Sequence, residues 1–352
     1  MFVRIMSVII ATLFSFSSFA GELEDRRVIS NQVGQIITDM NLGKEKGFAK
    51  LEAIGEAFRR NETRTSSGLW KLNLFYGGIL GTYDFDVYED NYVQMFEIFW
   101  DAYQAEIPTS PTPIIGKAKF YIALAWYYRG ESYASDVSAP NMRRFIINMG
   151  KAEDVLFEGQ TIGKTDPEWY ATMLTVLGVQ RARSADFNDV LWEGMQKYPD
   201  YYGIYFVAAT HLERRWSGDD GLLDLFARYA MAHTAVNKGA AVYTRIYWHI
   251  QGYYGNQLFY RTDVDWDLMK LGILDILKEY PDEWNIQHFA SFACNNFDGQ
   301  MTEWLIDQMN EEPIEGAWKL RTFEACRDYV IPPALGTRSW PDDYRSYFAG
   351  HL

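Results

Sequence analysis

Two pairs of prolines share one spacing: Pro167 and Pro199 stand 32 residues apart, and so do Pro281 and Pro313. Their surroundings match as well. Asp166-Pro167-Glu168-Trp169, Tyr198-Pro199-Asp200-Tyr201-Tyr202 and Tyr280-Pro281-Asp282-Glu283-Trp284 each set an acid beside the proline and aromatics within a few residues. Between the members of each pair run two apolar helical patterns, parted by a polar break at Asp186 and at Asp298. Proline lacks an N–H and clashes with the turn before it, so it closes one helix, yet it is tolerated in the first turn of the next. A period in the low thirties with that punctuation predicts an all-α fold of stacked helical hairpins. An α/α toroid is the alternative arrangement of the same helices.

Helical periodicity extends beyond the proline pairs. Apolar residues step at three and four in Leu51, Ile54, Ala57 and Phe58, and in Tyr92, Phe96, Phe99 and Tyr103. Further stripes are Leu222, Leu225, Phe226 and Tyr229, then Val242, Ile246, Ile250 and Tyr253, then Leu268, Leu271, Leu274 and Leu277. Gly130 reads as a helix stop after Arg129. Thr165-Asp166-Pro167-Glu168 sets a capping side chain before a proline, with an acid in the first turn. Sustained period-two alternation, the mark of strands, is missing from the sequence.

Residues 1–20 read as a cleaved signal peptide. Arg4 is a minimal basic start, Ile5 to Phe16 is apolar, and Ser18-Phe19-Ala20 is a small-x-small site, with cleavage expected after Ala20. The chain is therefore expected in the periplasm or secreted, with no membrane span in the mature part. Residues 21–110 form an N-terminal helical region and 111–352 a helical-repeat region, clearest over 165–330, with Pro108, Pro111 and Pro113 marking the boundary. The whole chain carries 33 Lys and Arg against 47 Asp and Glu, a net charge of −14. Such a surface repels nucleic acid and anionic lipid. Only Cys294 and Cys326 are present, and an even count in an exported chain predicts a disulfide. Each follows a repeat proline, Pro281 and Pro313, so the two fall on first helices of neighbouring units.

With Trp169 and Trp284 each following its proline, residues 165–330 resemble the tetratricopeptide-like superfamily of α-solenoids. The chain also resembles exported bacterial helical-repeat proteins. The resemblance implies an array of helical hairpins whose exposed groove binds another molecule.

Catalytic signatures are scarce. The sequence has no His-Glu-x-x-His, no Gly-x-Ser-x-Gly, no phosphate loop and no dinucleotide fingerprint, so neither metal nor other cofactor is expected. Asp263-Val264-Asp265-Trp266-Asp267 reads as a helix start capped by Asp265, since Leu268 stands where a calcium loop needs Gly. A basic and aromatic set does stand out against the acidic background. On the helix beginning near Tyr201, the stripe Tyr202, Phe206, Ala209 and Trp216 is the expected core face, leaving Ile204, His211, Arg214 and Arg215 on the flank. On the next inner helix Arg245, Trp248 and His249 fall off the apolar stripe. These six polar and aromatic residues, His211, Arg214, Arg215, Arg245, Trp248 and His249, are the candidate groove for a protein or peptide partner. A carbohydrate is the other ligand class. The competing expectation is a secreted carbohydrate-active hydrolase or lyase with two carboxylates facing one cleft, drawn from Asp84, Asp86, Asp263 and Asp265.

Overall fold

The computed structural model describes residues 21–44, 46–85, 92–130, 134–180, 184–213 and 221–330. The signal-peptide segment, Asp86 and Arg214 to Trp216 lie outside the described residues. The described residues are all-helical, without named strands. The first third holds α1 (Glu22–Asn41), α2 (Ala49–Asn61), α3 (Lys71–Leu80), α4 (Tyr92–Glu106), α5 (Thr112–Arg129), α6 (Ala139–Glu158) and the single turn α7 (Gln160–Gly163). The middle holds α8 (Pro167–Gly178), α9 (Ser184–Lys197), α10 (Tyr202–Leu212), α11 (Leu222–Lys238) and α12 (Ala241–Tyr254). The last part holds the short α13 (Leu258–Arg261), then α14 (Trp266–Glu279), α15 (Glu283–Asn295), α16 (Gly299–Ile306) and α17 (Phe323–Val330).

The helix starts follow the local chemistry. Asp166 caps α8 by accepting from the Glu168 N–H, with Pro167 in the first turn. Asp282 caps α15 through the Trp284 N–H, and Asp298 caps α16 through that of Met301. Asp265 accepts from two N–H groups at the start of α14, the role expected of it. Each such cap is worth about 1 kcal/mol. Gly130 ends α5 at φ 66, a backbone conformation that costs glycine little.

Most helices pack on a partner one or two places along the chain, α1 against α3 among them. α5 lies against α6, α8 against α9, α12 against α14, and α15 against α16, while α8, α10 and α12 contact one another in turn. Large aromatics fill the spaces: Trp100, Tyr103, Trp169, Tyr170, Tyr205, Tyr243 and Tyr247 are all fully buried. One apolar core runs through both sides of the 108–113 stretch. Three of the four stripe residues read on α11 turn outward: Leu225 is 66% exposed, and Leu222 and Tyr229 are also exposed, while Phe226 is buried. Its buried face is Leu223, Phe226, Ala227, Ala230 and Thr234 instead. Both sets have helical spacing, and periodicity alone does not say which of two apolar faces a neighbour will cover.

The row of helix starts marked by the prolines is covered by a distant part of the chain. Arg59 Nε donates to Asp166 Oδ2 at 2.7 Å, and Tyr76 Oη donates to the same oxygen at 2.8 Å. Arg64 reaches the Asp200 carbonyl at 3.3 Å and its carboxylate at 3.4 Å. The Trp70 ring meets Tyr201 edge-on at 5.3 Å. Farther along, Asn285 on α15 donates to the Ser67 carbonyl at 3.1 Å. Gly68 has φ +97, and a Cβ there would stand 2.6 Å from the Tyr280 ring, so this crossing requires glycine. Residues 59–76 thus run along the beginnings of α8, α10 and α15.

The disulfide forms as expected. Cys294 on α15 is bonded to Cys326 on α17, with Cα atoms 5.7 Å apart.

Candidate functional site

The loop between α2 and α3 is closed on itself before it meets anything else. Thr65 N–H donates to the Leu69 carbonyl at 2.7 Å, Leu69 N–H returns to Thr65 Oγ1 at 3.1 Å, and Arg64 pairs with Trp70 as an isolated bridge. The first turn of α1 holds the loop from one side. Glu22 accepts from Ser67 Oγ at 2.7 Å, and Asp25 accepts from Ser66 N–H at 3.0 Å and from Lys71 Nζ at 2.7 Å. From the other side come α12 and α15. Their approach leaves a cleft of about 180 Å³.

Arg245 forms its base. The residue is 3% exposed. One Nη donates to the Ser67 carbonyl, and the other lies 3.5 Å from Asn285 Oδ1. Its Nε has no hydrogen-bond partner. Among the described residues no carboxylate lies within 4.0 Å of the guanidinium. Burial pulls its pKa below the ordinary arginine range, with Tyr202 and Glu22 opposing at longer range. Arginine nonetheless keeps its proton in proteins. A charge buried in this way without an opposite partner costs several kcal/mol after relaxation.

Aromatic rings wall the cleft. The Arg245 guanidinium lies 5.3 Å from the Trp248 ring centre and 5.8 Å from that of Tyr202. Trp248 packs on Phe289 and on His288, and Trp284 also packs on His288, at 4.2 Å. His288 is 8% exposed and its Nδ1 lies 2.8 Å from the Trp284 carbonyl. Phe206 stacks with His249 at 4.6 Å and 5°, and His249 Nε2 is 3.0 Å from Thr210 Oγ1. Arg26, paired with Glu22 at 2.7 Å, stands 6.0 Å from the Trp284 ring at the rim. The lining is thus aromatic and cationic. Among the described residues it includes no carboxylate or thiol, and the Ser67 hydroxyl in it donates to Glu22 while His249 Nε2 meets Thr210.

Of the six sequence candidates, the structure brings three together here: Arg245, Trp248 and His249. His211 is elsewhere. It is 8% exposed and packs against Gly178 of α8 and the Phe187 ring of α9. Ile204, read with it as a flank, is fully buried, whereas Phe206, read as core, lines the cleft. The reason lies in α10 itself, which is apolar on every side, so its sequence marks no outward face. Arg214 and Arg215 lie outside the described residues. Sequence reasoning did not select Arg26, Ser67, Phe206 or Trp284 for the site. In the sequence Trp284 stands out only as the companion of Pro281. Its counterpart Trp169 is 2% exposed and donates to the Leu156 carbonyl, so the two tryptophans share a position after a proline and differ in use.

Asp84, Asp263 and Asp265, the described carboxylates among the catalytic candidates, do not line this cleft. Asp265 caps α14 and accepts from Arg228 at 3.0 Å, while Asp263 is exposed beside Gly221. Among the described residues no group of three or more His, Cys, Asp or Glu side chains is placed to hold a metal ion. No helix among them is long and apolar enough to cross a membrane.

Compared with family models, with curated proteins and with solved structures, the chain matches none.

Proposed function

We propose that the chain is an exported helical-repeat scaffold that binds a protein or peptide partner. The observation that carries this reading is the Arg245 cleft: a buried guanidinium without a carboxylate partner, walled by aromatic rings. Such a site gives a ligand both an apolar contact area and one fixed polar anchor, the usual make-up of a recognition pocket. The ordered packing of α5/α6, α8/α9, α12/α14 and α15/α16 supports a stacked-hairpin array of tetratricopeptide-like form. Residues 59–76 would then be the element that braces one edge of the array. Export is supported by the apolar start of the sequence and fits a chain whose two cysteines are joined.

A carbohydrate-active enzyme would need two carboxylates across one cleft, roughly 5–9.5 Å apart. The cleft described here has a cationic base in place of that pair. The test is a calorimetric titration of the purified protein with a pool of synthetic peptides, run beside a polysaccharide turnover panel. The expected result is saturable peptide binding that Trp248→Ala removes while the circular dichroism spectrum stays unchanged. Polysaccharide turnover without any peptide binding would sink the scaffold reading in favour of the enzyme.

A further inference from the structure

The structure assigns the Arg245 cleft to the carboxylate terminus of a peptide that ends in an apolar or aromatic residue. This rests on the binding-scaffold reading and narrows it to one chemical class. Three features of the cleft point to it.

The first is charge. Arg245 lines the cleft, is almost wholly buried, and has an Nε without a partner. A carboxylate arriving there supplies a direct opposite charge, where Glu22 acts only at longer range, and a charge-assisted hydrogen bond. Arg245 also borders a second, polar cleft of about 400 Å³, where Lys238 and Lys278 stand with Asp275 and Glu279 and Lys238 already pairs with Glu279 at 3.2 Å.

The second is size. A dry cavity of roughly 150 Å³ accepts one benzene ring. At about 180 Å³ this cleft takes one ring-sized side chain with its carboxylate and little more. Trp248, Trp284 and Phe206 present apolar faces to that side chain.

The third is continuity. Trp284 lines this cleft and also a larger neighbouring one of about 590 Å³. The larger cleft lies between the start of α1 and residues 281–284 and 310–314, and it carries Glu22, Glu24, Asp282, Glu283 and Glu311. Burial raises the pKa of Asp282 and of Glu311, with the neighbouring acids adding to it. A chain anchored by its end at Arg245 therefore passes over Trp284 into an acidic trough. A free small acid would use only the first compartment. A peptide uses both, and the trough favours lysine or arginine in the residues just before the last.

Calorimetric titration of the full-length mature protein with short synthetic peptides tests this directly. Lys-Lys-Phe with a free carboxylate is expected to bind at least about tenfold more tightly than its C-terminal amide, the worth of one charge-assisted hydrogen bond. It is also expected to bind several-fold more tightly than Glu-Glu-Phe, with that difference shrinking in high salt. Arg245→Gln should abolish the acid-over-amide preference. Because that change also removes one of the two donors to the Ser67 carbonyl, Trp284→Ala serves as a second variant, expected to weaken every peptide while leaving the melting curve in place. Equal binding of acid and amide would overturn the assignment and leave the peptide scaffold standing. Binding of N-acetylphenylalanine without Lys-Lys-Phe would overturn it in favour of a free small acid. Failure of every peptide would sink both readings.

Discussion

Arg59 on α2 donates from Nε to Oδ2 of Asp166 at 2.7 Å, a contact spanning 107 residues of chain. Asp166 is fully buried and already caps α8, so one carboxylate starts a helix and receives the N-terminal region. Tyr76 is its only other side-chain donor among the described residues. Replacing Arg59 with Met would leave that carboxylate buried without its cation. Removing one partner of a buried pair costs about 3–5 kcal/mol. We expect Arg59→Met to lower the urea midpoint accordingly, without a change in slope. A loss below about 1 kcal/mol would place the pair among surface-like bridges and undo its role as the brace.

The Cys294–Cys326 bond closes a loop of 32 residues. In the chain-entropy account such a loop stabilises by roughly 3–4 kcal/mol. Dithiothreitol, or Cys326→Ser, should lower the melting temperature by a similar margin in each case. The effect should centre on the last helices, because α17 packs on α15 and α16. Hydrogen exchange can locate it. Loosening that reaches α5 and α6 before α17 would contradict a local role.

Two glycines on helices should respond in opposite directions to alanine. Gly272 on α14 lies against the Ala240 carbonyl and Thr244 on α12, and a Cβ would collide with both. The backbone carbonyl cannot swing aside. Overpacking of this kind costs about 1–3 kcal/mol, against a helix-propensity gain of only about 1. Gly150 on α6 has nothing within 4 Å of a Cβ. Gly272→Ala is expected to destabilise, and Gly150→Ala to stabilise by up to about 1 kcal/mol. Thermal melts of the pair decide the matter, and a stabilising Gly272→Ala would mean that α12 and α14 pack less closely than described.

What the sequence revealed and what it concealed divide along chain distance. Asp166 and Asp265 were legible as helix starts, because a cap and its N–H lie two or three residues apart. The disulfide was legible because two cysteines have one pairing. Arg245, Trp248 and His249 were legible as residues off an apolar stripe, since α12 has a clear one in Val242, Ile246 and Ile250. The other half of the cleft was not. Ser67 meets Asn285 across 218 residues and Arg245 across 178, and such contacts leave no periodic trace in either segment. His211 was misplaced for a different reason: on a helix apolar all round, the polar residue is as easily inside as outside.

That inward histidine has a consequence for acid stability. Burial holds the pKa of His211 down to about 4, and burial likewise holds His288 to about 4, with Lys319, Arg26 and Arg245 adding to the effect. Unfolded, each would titrate near about 6.5. Between those values the unfolded chain binds more protons than the folded one, so stability rises with pH across that window. The full contribution is present above about pH 6.5 and drains away as pH falls towards 4, by on the order of 3 kcal/mol for each residue. Urea denaturation at several pH values should show this fall, and His211→Leu should flatten part of it. If the variant keeps the same slope as the parent between pH 6.5 and 4, His211 is not the buried neutral group described, and the packing of α10 on α8 would need revision.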